Sequence, residues 1–203
     1  MNPNKPDMQK IQISIASPKD AREILEIYSP YVTDTAITFE YTVPKLEEFC
    51  QRIEQILSRF PYIIARTAAG SAVGYAYASP FHERAAYQWA VETSIYVAKD
   101  FRGSGVGRSL HNMLENLLKE QNILNMNACI AYPKTPDPYL DDHSVQFHRH
   151  MGYRIVGQFY QCGYKFNRWY DMVWMEKHIG KHLENPKKVK TFNEIKEFVK
   201  EIL

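Results

Sequence analysis

From Ile95 to Arg108 the chain reads Ile95-Tyr96-Val97-Ala98-Lys99-Asp100-Phe101-Arg102-Gly103-Ser104-Gly105-Val106-Gly107-Arg108, an apolar run ending in a glycine-rich turn. Leu110, Met113, Leu114, Leu117 and Leu118 then recur with helical spacing. A strand-to-helix turn built from Gly103, Gly105 and Gly107 lets backbone N–H groups approach a ligand, and the helix N-terminus adds partial positive charge. That chemistry is anion capture, suited to a pyrophosphate and supplemented by Arg102 and Arg108. A dinucleotide fingerprint would need G-x-G-x-x-G at the first such turn, with an acidic residue about 20 positions on. Here the pattern is G-x-G-x-G, late in the chain, and no Gly-Lys-Ser or Gly-Lys-Thr follows to make a P-loop.

Glu92 sits among Val91, Ile95, Tyr96 and Val97 in a strand-like run, where a carboxylate is costly unless it faces a polar cleft, solvent, or a partner such as Arg84 or Lys165. His143, His148 and His150, with Asp141 and Asp142, suggest a metal cluster. Helical geometry argues against it, because His143 and His150 share a face two turns, roughly 10 Å, apart while His148 points elsewhere. No metal site is expected.

The elements that must position these groups follow from patterning. Ile11, Ile13 and Ile15 alternate as a strand; Ser17-Pro18-Lys19-Asp20 starts a helix carrying Ile24, Leu25, Ile27, Tyr28 and Tyr31. A second helix is expected from about Pro44, a hairpin from 62–66 and 72–78, and a longer strand over 87–98. Past the leucine-striped helix the pattern predicts a strand at 126–132, a helix at 144–151, and strands at 153–160 and 169–176. Pro133, Pro136 and Pro138 make the intervening segment a stiff loop. The result is a mixed α/β layer fold. A lysine-rich connector at 184–190 precedes Thr191-x-x-Glu194, a capping box that opens an amphipathic helix over 191–203, too short to stand alone in water. The expected division is a domain at 1–178 and a tail at 179–203.

With 203 residues, 45% apolar and 24% charged, the chain has the size and balance of one globular domain rather than a disordered segment. A net charge of +2 without a basic stripe excludes nucleic acid as an expected partner. The opening segment 1–10 is polar and lacks the apolar core of a secretory signal. The longest uncharged run, 67–81, falls short of the roughly 20 residues that span a bilayer, so no membrane association is expected. Cys50, Cys129 and Cys162 are odd in number and widely spaced, which suits reduced thiols and a cytoplasmic location.

Arg102-x-x-Gly105-x-Gly107 after Ile95-Tyr96-Val97 resembles the acetyl-CoA pyrophosphate motif of the GCN5-related N-acetyltransferases (GNAT). Tyr87-x-Trp89-x-x-Glu92-x-Ser94-x-Tyr96-Val97, Ser144-Val145-x-x-His148-x-x-x-Gly152-Tyr153 and Gly163-Tyr164-Lys165-x-x-x-Trp169-x-Asp171 resemble the phosphinothricin acetyltransferase branch, as do Thr38-Phe39 and Arg59-Phe60-Pro61-Tyr62. The resemblance spans about 11–178. It implies a central mixed, mostly antiparallel sheet flanked by helices, here with an extra C-terminal helix, and a homodimer. It further implies acetyl transfer from acetyl-CoA to the amine of a small amino acid or analogue. Acetyl-CoA is expected on Ile95, Tyr96 and Val97, on Arg102, Gly103, Ser104, Gly105, Val106, Gly107 and Arg108, and on Asp141 and Ser144. Glu92 is expected as the base, and His148, where many members carry a tyrosine, as a proton donor or a structural residue. For the acceptor, Phe39, Tyr87 and Trp89 are candidate walls and Arg84 and Lys165 candidate cations. The chain departs from the branch in offering Asp141 or Asp142 where an asparagine usually precedes the serine, in a longer proline-bearing loop, and in Phe166-Asn167 for a histidine-glycine pair. Another amine, such as a polyamine, an antibiotic or a protein N-terminus, and a CoA-binding regulatory module without turnover, are the alternatives.

Overall fold

Alternating apolar residues build β1 (Gln12–Ile15), and Ser17 starts the first helical segment: its N–H and Oγ both reach Asp20 Oδ2, at 2.7 and 2.9 Å. After a short 3-10 turn, α1 covers Ala21–Asp34 and α2 Leu46–Leu57. β2 (Tyr62–Arg66) and β3 (Ala72–Pro80) form the expected hairpin, followed by β4 (Ala90–Val97), α3 (Val106–Glu120), β5 (Asn125–Tyr132) and α4 (His143–His150). β6 (Arg154–Lys165), β7 (Arg168–His178) and α5 (Lys196–Ile202) complete the chain. The computed structural model describes residues 11–202; the polar opening segment 1–10 and the last residue of the expected terminal helix lie outside the described residues.

The seven strands form one sheet in the order β1-β2-β3-β4-β5-β7-β6, antiparallel throughout except between β4 and β5. Strand periodicity splits the core into two layers. Ile63, Ala65, Val73, Ala76 and Val91 face the buried leucines of α3, whereas Tyr62, Ile64 and Tyr75 face Ile24, Tyr28 and Ile53 of α1 and α2. Leu110, Leu114, Leu117 and Leu118 are fully buried, so truncating one to Ala costs about 2–5 kcal/mol.

Three expectations are corrected. β4 starts at Ala90, not Tyr87: Tyr87 and Gln88 N–H groups turn back to Arg84 and Ala85 carbonyls, and the Trp89 carbonyl accepts from Leu124 and Asn125 at 2.9 and 3.1 Å. β6 runs past Tyr160 to Lys165 through a bulge between Phe159 and Gly163. Gln161 there adopts φ +49°, held by Asp171, whose carboxylate accepts from Gln161 N at 2.8 Å and Gln158 Nε2 at 2.9 Å. The tail opens with a 3-10 turn at Phe192–Ile195 before α5. Its capping box forms, Thr191 N–H and Oγ1 both donating to Glu194 Oε2, and Phe192, Ile195 and Val199 are buried in the α3-side core.

Candidate active site

The parallel pairing of β4 with β5 covers only Ala90–Glu92 against Asn125–Asn127. Side chains end it there. Asn127 Nδ2 donates to the Val91 carbonyl and Thr93 Oγ1 to the Asn127 carbonyl, each at 3.1 Å, and beyond this point the strands part. Val97 N–H and C=O, on the open edge of β4, are both taken by the Tyr31 hydroxyl, at 3.1 and 2.6 Å. Alternation directs the peptide groups of Ile95 to the same open edge, between Thr93 and Val97.

At the end of β4 a 3-10 turn at Lys99–Phe101 leads into the glycines. Gly103 and Gly105 have φ of +72° and +92°, and Gly105 caps α3 from the left-handed region that L side chains avoid. Among the described residues, the amides of Gly105, Val106, Gly107 and Arg108 have no backbone acceptor and open at the helix N-terminus. Arg108 is exposed beside them, and the Arg102 guanidinium lies 4.7 Å over the Tyr31 ring. Ser104 turns its Oγ inward to the Phe101 carbonyl. Tyr31, Arg102 and Asp141 share a 650 Å³ cleft on the α1 side. Asp141 also accepts from His143 N–H at 3.1 Å, and Asp142 from Gln146 Nε2, so both aspartates order the start of α4. Ser144 gives its carbonyl to His148.

Glu92, Ser94 and Tyr96, on the other parity of β4, line a 460 Å³ cavity under α1 and α2. The Glu92 carboxylate has no hydrogen bond or ion pair among the described residues, and burial alone pushes its pKa above the usual carboxylate value. Pairing with Arg84 or Lys165 is thereby ruled out in this structure. Tyrosines pave the cavity: Tyr62 stacks on Tyr77 at 4.9 Å, Tyr75 on Tyr96 at 5.2 Å, and Tyr28 meets Tyr96 edge-on at 5.0 Å. Burial drives the phenols of Tyr62, Tyr75 and Tyr96 well above their ordinary pKa, which keeps them neutral.

The roof is the strap Thr38-Phe39-Glu40, and the Gly163-Tyr164-Lys165 run fastens it. Lys165 Nζ donates to the Thr38 carbonyl at 2.8 Å, and Tyr41 hydroxyl donates to the Tyr164 carbonyl at 2.5 Å. A Cβ on Gly163 would lie 2.3 Å from Phe39 Cε2, so only glycine admits the ring there. Phe39 lines the cavity, whereas Lys165 is 3% exposed and outside it, its pKa lowered by burial. Arg84, Tyr87 and Trp89 are placed elsewhere: Arg84 is exposed on the β3–β4 loop, and Tyr87 and Trp89 line an 830 Å³ apolar cleft with Trp174 and Leu183. Trp89 Nε1 donates to the Lys187 carbonyl at 2.8 Å, tying down the tail.

His148 is buried on the opposite face, edge-on to Tyr153 at 4.9 Å, and its Nδ1 donates to the Ser144 carbonyl at 2.7 Å. A carbonyl only accepts, so Nδ1 carries a proton, and burial lowers the pKa of the ring against the opposing pull of that bond. His143 pairs with Asp141 and His150 with the Gln146 carbonyl; among the described residues no three His, Cys, Asp or Glu side chains are placed to hold a metal ion.

Sequence reasoning missed Glu40 and Arg52 in the cavity wall and the Thr93–Asn127 bond that opens the strands. Arg52 reads as a surface charge on α2; its position three residues after Phe49 and one before Ile53 is the signal that places it beside the buried stripe.

The chain matches the acetyltransferase (GNAT) domain family over residues 13–174. It is 30% identical to a phosphinothricin N-acetyltransferase of Streptomyces coelicolor, over 85% of this chain and 98% of the relative. It is 32% identical to an L-methionine sulfoximine/L-methionine sulfone acetyltransferase of Pseudomonas aeruginosa, over 77% of this chain and 88% of the relative. Among solved structures, a phosphinothricin acetyltransferase from Sinorhizobium meliloti in complex with AcCoA superposes with a TM-score of 0.79 at 30% identity, over 90% of this chain and 98% of that one. A match running from the first strand to the last, with relatives aligned over nearly their whole length, makes the chain a member of the GNAT acetyltransferase family.

Proposed function

We propose that the protein moves the acetyl group of acetyl-CoA to the amine of a small amino acid or analogue of the phosphinothricin, methionine sulfone or methionine sulfoximine type. The observation that carries this reading is Glu92, an unpaired carboxylate of raised pKa one residue from the point where β4 and β5 part. The residues fit the cosubstrate: four free amides at the α3 N-terminus suit its pyrophosphate, and the open edge at Ile95 suits an extended arm bearing amides. Acetyl-CoA supplies the activated acyl group.

Glu92 takes the proton from the incoming ammonium, directly or through a water, and the neutral amine attacks. Its raised pKa brings its proton affinity closer to the amine's. The tyrosine-lined cavity positions the acceptor and limits water. His148 packs edge-on against Tyr153, and the departing thiolate takes its proton from solvent. Exposed Val156, Phe159, Tyr160 and Trp169 on the β6–β7 edge support a homodimer, and the three free cysteines support a cytoplasmic location. Among the described residues no helix is long and apolar enough to cross a membrane.

The test is free-thiol release from acetyl-CoA with a panel of amines. L-Phosphinothricin, methionine sulfone or methionine sulfoximine should show a higher kcat/KM than spermidine or a lysine peptide. Faster turnover of either of the latter than of every amino-acid analogue overturns the acceptor assignment and leaves the acetyltransferase one standing.

A further inference from the structure

Among the described residues lining the Glu92 cavity, Arg52 is the one cation. Its Nη1 donates to Glu40 Oε1 at 2.7 Å and its Nη2 to Glu48 Oε1 at 2.5 Å, which leaves donors of the guanidinium fork unused. Glu40 Oε2 is buried without a hydrogen-bond partner. Glu40 belongs to the strap pinned by Lys165, so the pair is fixed from two sides, by α2 and by β6. Tyr77 lines the same cavity as this pair and Glu92, and its hydroxyl feels the charges of all three. One cavity therefore presents both a free carboxylate and a braced guanidinium.

We propose that Arg52, braced by Glu40, is the receptor for the α-carboxylate of the acceptor and selects amino acids over simple amines. This assignment rests on the amino-acid acceptor proposed above and names the residue that enforces it. A zwitterion lying across Tyr77 puts its ammonium on Glu92 and its carboxylate on the fork, where planar, charge-assisted bonds favour Arg over Lys. Lys165 is unsuited to this role, because it does not line the cavity and its ammonium is held by the Thr38 carbonyl, and Arg84 lies on an exposed loop.

The experiment compares wild type, Arg52→Gln and Arg52→Lys with L-methionine sulfone and with its decarboxylated amine, and measures acetyl-CoA affinity by calorimetry as a control of folding. Arg52→Gln should lower kcat/KM for the amino acid about 10- to 100-fold, chiefly through KM, while the decarboxylated amine changes by less than about 2-fold. Arg52→Lys, which keeps the charge and loses the fork, should fall in between. If Arg52→Gln fails to bind acetyl-CoA, Arg52→Lys carries the comparison: a loss confined to the amino acid supports the assignment. Equal losses with both compounds, or no loss with either, overturn it and leave the acceptor class intact. A wild type that acetylates the decarboxylated amine as well as the amino acid overturns it too, and one that acetylates neither overturns the acceptor class together with it.

Discussion

Lys165 Nζ lies 2.8 Å from the carbonyl oxygen of Thr38, joining residues 127 positions apart and fixing the roof of the Glu92 cavity to the far edge of the sheet. The lysine is 3% exposed, so its charge is stabilised by that carbonyl and by the field of Glu40 rather than by water. Its partner in the same task is Gly163, which leaves room for the Phe39 ring. Gly163→Ala should displace Phe39 and lower kcat/KM for the acceptor by about 10-fold while acetyl-CoA affinity holds. Adding Phe39→Leu should recover part of the loss; a double variant no better than the single one would show that the contact does not set the roof.

Glu92→Gln should abolish most turnover near neutral pH and lose less as pH rises, because an amine that deprotonates in solution needs no base. A parallel-shaped pH profile of unchanged height removes Glu92 from the chemistry.

The same substitution should change stability with a definite sign. Burial raises the folded pKa of Glu92 above its unfolded value, so the folded state holds the extra proton between the two. Stability is then lost as pH rises through that window, and the cost of the buried charge is absent below it and complete above it. Glu92→Gln should therefore be more stable than wild type at neutral pH, with the advantage shrinking toward pH 4. Thermal unfolding at several pH values decides it, and a difference that does not vary with pH contradicts the assignment.

Gly105→Val should remove acetyl-CoA binding in a folded protein. A new Cβ meets nothing within 4 Å, so the obstacle is the backbone: at φ +92° a β-branched residue is strained and the turn must reorient its amides. Calorimetry showing wild-type affinity excludes the turn as the anion cradle.

Deleting 191–203 should lower stability far more than activity per folded molecule. The segment buries Phe192, Ile195 and Val199 in the α3-side core, each worth about 1.5–3 kcal/mol as an upper bound, and Phe192 N–H bonds to the Arg59 carbonyl. A truncated chain with unchanged urea midpoint contradicts the docking; a folded one without activity places the tail in the chemistry.

What could be read from the sequence was local. The turn from Gly103 to Arg108 is one contiguous strand-turn-helix pattern, and the leucines of α3 declare their own buried stripe. Asp171 shows the limit: a motif residue on β7, it acts ten positions back by holding the Gln161 bulge, and nothing in linear spacing reveals that. Tyr87 and Trp89 alternate like strand residues, yet the strand waits until the Trp89 carbonyl has accepted from two amides of the chain entering β5. Lys165 offers a positive charge to any reader of the sequence, and only the fold discloses that the charge is spent on Thr38.

The tyrosine pavement has an optical consequence. The chain has three tryptophans, and none lines the Glu92 cavity, since Trp89 and Trp174 border the apolar cleft and Trp169 is exposed. Indole emission is thus a reporter of the tail and the sheet edge, while an acceptor entering the cavity perturbs rings that are stacked, neutral and fixed in asymmetric surroundings. Occupancy there should be visible in the near-ultraviolet circular dichroism of the tyrosines and nearly silent in tryptophan fluorescence.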